Sequence, residues 1–96
     1  MIPHSGVEVE SIEATIRHFV VSNFLFGRGG DGLTNHDSFI ARGIIDSTGV
    51  LELSLFIEQT FQTPIADDEL IPDNFDSIHC LAQYVRRKLE QQPQPR

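Results

Sequence analysis

Apolar residues recur every three to four positions in three separate stretches, and no stretch alternates apolar with polar as a half-buried strand would. That period commits the chain to helices. In the first stretch Val9, Ile12, Ile16, Phe19, Val20 and Asn23/Phe24 share one side. Ser5-Gly6-Val7-Glu8 opens it with a capping-box spelling, and Gly27-Arg28-Gly29-Gly30-Asp31-Gly32 should end it near Phe26. A second helix is expected over Ser47–Phe61, with Asp46 as N-cap and Thr63-Pro64 as its stop. Along it Val50, Leu53, Ile57 and Phe61 face the core. A third long helix is expected over 77–90, with Ile78, Leu81, Ala82, Val85 and Leu89 on one face. Arg86, Arg87 and Lys88 suit its C-terminal dipole. Pro72-Asp73-Asn74-Phe75 reads as a single turn with Pro at a first helical position and Phe75 as core anchor. The fold class is therefore an all-α four-helix bundle, three longer helices and one short. Its long loop, 27–45, joins helices 1 and 2 and should be pinned by Leu33, Phe39, Ile44 and Ile45. The 96 residues make one domain over 1–90, and the polar, proline-rich tail 91–96 should not pack.

Charge narrows the function classes. The chain holds 14 acidic and 7 basic residues, which argues against nucleic-acid binding, because phosphates need clustered Lys and Arg. Residues 46–76 carry eight acids (Asp46, Glu52, Glu58, Asp67, Asp68, Glu69, Asp73, Asp76) and neither Lys nor Arg. Such a one-signed surface steers a basic partner, or simply keeps the chain soluble. The longest apolar cluster, near 19–26, falls far short of the roughly 20 residues a membrane span needs. One cysteine allows no internal disulfide, and 1–6 has no basic signal-peptide region. A cytoplasmic monomer is the expectation, with Met1 and the tail read as the ends of a discrete chain.

Several chemistries fail on spacing. The glycines of 27–32 lack the Gly-Lys-Ser/Thr ending of a P-loop. The 31–42 segment has His36 where a calcium loop needs Gly and Arg42 where it needs Glu. The histidines (His4, His18, His36, His79) are scattered, with no Cys or His at metal-ligand spacing. A triad around Ser47 would need a base that the sequence does not supply, and so small a bundle leaves little concave space for one. Cys80 reads as a partly exposed, passive thiol.

The informative stretch is Asp46-Ser47-Thr48-Gly49-Val50-Leu51-Glu52-Leu53. It sets a serine at a helix start, where the positive helix end favours an attached phosphate. On its own the pair is most commonly only a cap, and Asp-Ser is a weak signal. In context it resembles the phosphopantetheine attachment motif of acyl and peptidyl carrier proteins, Asp-Ser-x-x-x-x-Glu-Leu at the start of the second helix. The likeness extends over most of the chain: the first helix, the loop with Phe39 and Gly43-Ile44-Ile45-Asp46, Phe61-Gln62-Thr63-Pro64 with Ile65-Ala66-Asp67-Asp68-Glu69-Leu70, and Phe75-Asp76-Ser77-Ile78 leading to Tyr84-Val85. The resemblance implies 4′-phosphopantetheine on Ser47, installed from coenzyme A by a Mg²⁺-dependent phosphopantetheinyl transferase that reads Asp46. An acyl group would ride on it as a thioester, and the chain itself would not be an enzyme. Gly49 and Thr48 depart from fatty-acid carriers, where an acid and Leu are usual. The spelling looks more like discrete carriers of polyketide and related secondary metabolism. Gly49 also lowers helix propensity.

Helical geometry places Thr48, Leu51, Glu52, Leu55, Glu58 and Gln59 on the side of Ser47, which reads as a docking surface with acids for steering and leucines for contact, or else as a face whose Leu51 or Leu55 packs under the long loop. Its partners would be the transferase, an acyl- or aminoacyl-loading ligase or transferase, and a downstream synthase. Alternatives are an aminoacyl or peptidyl carrier loaded by an amino-acid-activating ligase, a four-helix adaptor in which Ser47 only caps, and, last, a small hydrolase. The sequence names neither the cargo nor its pathway.

Overall fold

The computed structural model describes residues 9–25 and 32–91. Among the described residues four α-helices form, α1 (Val9–Asn23), α2 (Ser47–Phe61), α3 (Pro72–Phe75) and α4 (Ile78–Gln91), with a 3₁₀ turn at Asp67–Glu69. There is no strand among the described residues, and the helices pack as a bundle. α2 runs between the expected residues. α1 ends at Asn23, before the expected Phe26: Asn23 turns its amide back onto the Phe19 carbonyl, 2.9 Å, as the chain bends away. The Ser5–Glu8 capping box, residues 27–31 of the glycine run and 92–96 of the tail lie outside the described residues. Gln91, assigned to the tail from its polarity, is the last residue of α4. At the other end of α4, Ser77 stands outside the helix and caps it, its Oγ accepting from the Cys80 amide at 3.0 Å.

One core gathers the apolar stripes. α1 contributes Ile12, Ile16 and Val20, α2 Leu53 and Ile57, α3 Phe75, and α4 Ile78, Leu81, Ala82, Tyr84 and Val85. The α1–α2 loop adds Leu33, Phe39 and Ile45, all buried, with Ile44 packed alongside. Val50 and Phe61, expected in the core, are half-buried at its margin. Where α1 meets α2, Phe19 stacks on Phe56 with ring centroids 4.0 Å apart.

Gly49 belongs to this contact. A Cβ there would lie 2.8 Å from Ile45 Cγ2 and 2.9 Å from Phe24 Cε1. Its missing side chain is thus the space into which loop and α1 pack. Propensity makes Gly49 a defect, whereas packing makes it a requirement.

The segment between α2 and α3 is tied down by acids. Glu58 accepts from the Ile65 amide at 2.9 Å. Glu69 accepts from the Ala66 amide (3.1 Å), the Tyr84 hydroxyl (2.8 Å) and Lys88 Nζ (3.1 Å). The Ala66 bond first, then Tyr84 and Lys88, hold the Glu69 carboxyl below its ordinary range. Burial, and then Glu69, push the Tyr84 phenol well above its own.

Two outcomes follow. Gly49→Ala should destabilise the fold by about 1–2 kcal/mol in urea unfolding, because overpacking outweighs the helix-propensity gain of about 1 kcal/mol; a stabilised variant would show the contact to be slack. Glu69 titrates lower in the folded chain, so the unfolded chain takes up the proton first and acid favours unfolding. The stability advantage of the parent over Glu69→Gln, present at neutral pH, should therefore shrink as pH falls below about 4.5. Thermal melts against pH would show this, and parallel curves for the two proteins would refute it.

Candidate functional site

Asp46 and Ser47 divide the work at the start of α2. Asp46 has extended backbone and its Oδ1 accepts from the Gly49 amide at 2.8 Å, so Asp46 is the N-cap. Ser47 is the first helical residue and is exposed. Its hydroxyl therefore stands at the positive end of a 15-residue helix whose cap is supplied by its neighbour.

Beside Ser47 opens a groove of about 640 Å³. The loop supplies Ile40 and Ile45, α2 supplies Val50 and Leu51, and the approach to α3 supplies Leu70 and Ile71. Buried Ile45 and Phe75 form its floor, while Ile40 (54% exposed), Leu51 (54%) and Ile71 (43%) form its rim. Its charged lining residues are Asp46 and Asp76; no Lys, Arg or His is among the residues that line it. The expectation that so small a bundle would lack concave space is thus corrected. The loop, α2 and the approach to α3 together enclose a cleft that periodicity does not reveal.

The expected docking residues divide. Thr48, Leu51, Glu52 and Leu55 are all exposed, with Leu55 at 55%, on the outer face of α2 beginning at Ser47. Glu58 is half-buried and engaged with the Ile65 amide, so it anchors the following segment as well as adding charge.

Sequence reasoning missed the role of Asp76. Its carboxylate accepts from Ser38 Oγ (2.5 Å) and the Ile40 amide (3.0 Å), and its main-chain carbonyl from the Phe39 amide (2.8 Å). Only its place in Phe75-Asp76-Ser77, between the short helix and α4, hinted at anything beyond a turn. The histidines are also less scattered than their spacing suggests. His36 and His79 rings lie 4.5 Å apart, and Glu13 reaches within 3.9 Å of His79 Nδ1. The fold causes this by bonding the His79 amide to the Asn35 carbonyl at 2.8 Å. His18 is exposed, and His4 lies outside the described residues. Among the described residues no group of three or more His, Cys, Asp or Glu is placed to hold a metal ion. Half-exposed Cys80 lines a second cavity, of about 330 Å³, with His36 and Ser38. In the 31–42 segment Arg42 spans the turn, bonding Asp37 at 2.7 Å and the Gly32 carbonyl at 2.9 Å.

No protein-family model matches the chain, and no curated protein matches it. No helix among the described residues is long and apolar enough to cross a membrane.

The cap assignment separates two neighbouring substitutions. Asp46→Ala should cost about 1 kcal/mol through the lost cap, while Ser47→Ala should stay within about 0.5 kcal/mol of the parent. Urea titrations of the two decide it; a larger loss at Ser47 would return the capping role to the serine.

Proposed function

We propose that the chain is an acyl carrier protein, holding its cargo on a 4′-phosphopantetheine arm attached through Ser47 and handing it between enzymes of polyketide or related biosynthesis. The observation that carries this reading is an exposed serine, relieved of capping by Asp46, beside an apolar groove. An adaptor in which Ser47 serves as cap has less support, because Asp46 makes the cap bond.

The chain's own residues fit that group. The α2 N-terminus favours the negative charge of a phosphodiester at Ser47 Oγ. Asp46 fixes the first turn, so the hydroxyl is presented in one place, and exposure lets a transferase reach it. Bound there, 4′-phosphopantetheine would supply a terminal thiol to hold an acyl group as a thioester. The apolar groove next to the attachment point offers a neutral acyl chain an alternative to water.

Transfer between enzymes needs brief contacts. Thr48, Leu51, Glu52 and Leu55 form the proposed docking face, with Glu58 adding charge. The residues from 46 to 76 have no Lys or Arg to cancel their eight acids. Such a field speeds encounter with basic surfaces and fades with salt. The small apolar contact from Leu51 and Leu55 allows rapid release. The partners on this reading are a phosphopantetheinyl transferase with coenzyme A, a loading ligase or transferase, and a downstream synthase.

Intact-mass measurement tests the reading. Incubation with coenzyme A, Mg²⁺ and a broad-specificity transferase should add one phosphopantetheine, confined by fragmentation to Ser47 and absent from Ser47→Ala. A folded, initially unmodified chain that gains nothing would overturn the carrier assignment in favour of the adaptor.

A further inference from the structure

The groove is defined on one side by a residue that an acid holds in place. Ile40 has no regular secondary structure to fix it and is half-exposed, yet it lines the groove. Asp76 supplies the constraint, taking the Ile40 amide on Oδ1 and the Ser38 hydroxyl on Oδ2, while Ser38 Oγ in turn accepts from the Ala41 amide at 3.0 Å. Asp76 itself lines the groove with Asp46, and none of the lining residues is a cation. Asp76 therefore does two separable things: its acceptor oxygens position the Ile40 wall, and its charge sets the polarity of the space.

We infer that Asp76 is the specificity-determining residue of this groove, which takes a neutral apolar group tethered at Ser47 and rejects one ending in a carboxylate. The inference rests on the carrier reading for its biological meaning. A neutral chain gains apolar contact with Ile40, Val50, Leu70 and Ile71. A terminal carboxylate meets Asp46 and Asp76 in a largely apolar cleft, so it loses hydration and gains repulsion with no ion pair in return. A monocarboxylic acyl group is held against the protein, and the dicarboxylic group of equal length stays in solvent.

A direct tether tests this without a transferase. In full-length protein carrying Ser47→Cys and Cys80→Ala, the single thiol is alkylated with an iodoacetamide bearing either a hexyl or a 5-carboxypentyl chain. Amide resonances are then compared with those of the same protein capped by iodoacetamide itself. The hexyl chain should shift the Ile40, Val50 and Ile71 amides at least threefold more than the carboxypentyl chain. Asp76→Asn, which removes the charge, keeps one acceptor oxygen for the Ile40 amide and turns its NH2 to donate to Ser38 Oγ, should bring the two chains to within twofold of each other. Asp76→Ala should expose the Ile40 amide, whose acceptor is the side chain, to hydrogen exchange and cut the hexyl-induced shifts at least threefold. Equal shifts from both chains in the parent would overturn the charge selection. Unchanged hexyl shifts in a folded Asp76→Ala protein would overturn the positioning role, and if that variant fails to fold, an unaltered preference in Asp76→Asn overturns the assignment to Asp76. Failure of a transferase to load Ser47 would instead strike the carrier reading and leave the tether result standing.

Discussion

Burial of Phe39 is the constraint on which the long α1–α2 connection depends. A loop that places a phenylalanine in the core must also satisfy the main-chain groups that accompany it. Here the Phe39 amide donates to the Asp76 carbonyl at 2.8 Å, and the Phe39 carbonyl accepts from Ile44 at 2.9 Å and Ile45 at 3.4 Å. The chain thus folds back on itself around one side chain, bringing Ile45 to the core and Asp46 to the start of α2. The position of Ser47 follows from an irregular segment that is nonetheless closely determined. Burying an aromatic side chain stabilises by a few kcal/mol, enough to offset the ordering of a short closed turn but not of a long free loop. The polar latches at Asp76 are what keep the ordered portion compact.

The second dependency is steric. Phe19 and Phe56 stack between α1 and α2, and Phe24 meets Phe19 edge-on at 5.9 Å. Phe24 and Ile45 then converge on Gly49. Three parts of the chain therefore meet over a residue with no side chain, two residues beyond the exposed serine. A better helix former at that position would separate them. Local preference and tertiary packing disagree at Gly49, and packing prevails because an interior contact acts on several side chains at once.

Much of this architecture is legible in the residues. The α2 bounds follow from Asp46 and Thr63-Pro64, α3 from Pro72 and Phe75, and the loop anchors from isolated apolar residues in a polar stretch. Each is a local rule acting over a few positions. What escapes is whatever depends on segments far apart in the chain. Ser38 and Asp76 are separated by 38 positions, and nothing in either one's neighbours marks them as partners. The approach of His36 to His79, the groove and the steric demand at Gly49 are invisible for the same reason. Glu58 shows a subtler limit. Helical geometry puts it on the side of Ser47, yet its oxygen is drawn to the Ile65 amide because the chain turns back at Pro64.

That example changes how the acidic middle of the chain should be understood. Counting carboxylates along 46–76 suggests a surface dedicated to partners, but Asp46, Glu58, Glu69 and Asp76 each accept a main-chain N–H within the fold. Hydrogen bonding places their charges at defined points without cancelling them; Lys88 alone is seen to pair with one of the four, Glu69. Exposed Glu52, Asp67, Asp68 and Asp73 add to the same field. Acids that a small fold uses in place of regular structure to hold its loops therefore also leave negative charge at fixed points. On the carrier reading, stability and steering would draw on the same residues. They separate under salt, which screens the long-range field over about a Debye length while leaving bonds of about 3 Å largely intact. Truncating any one of the four acids would alter both, so charge at a distance is told from local geometry by ionic strength or by a near-isosteric, charge-removing substitution.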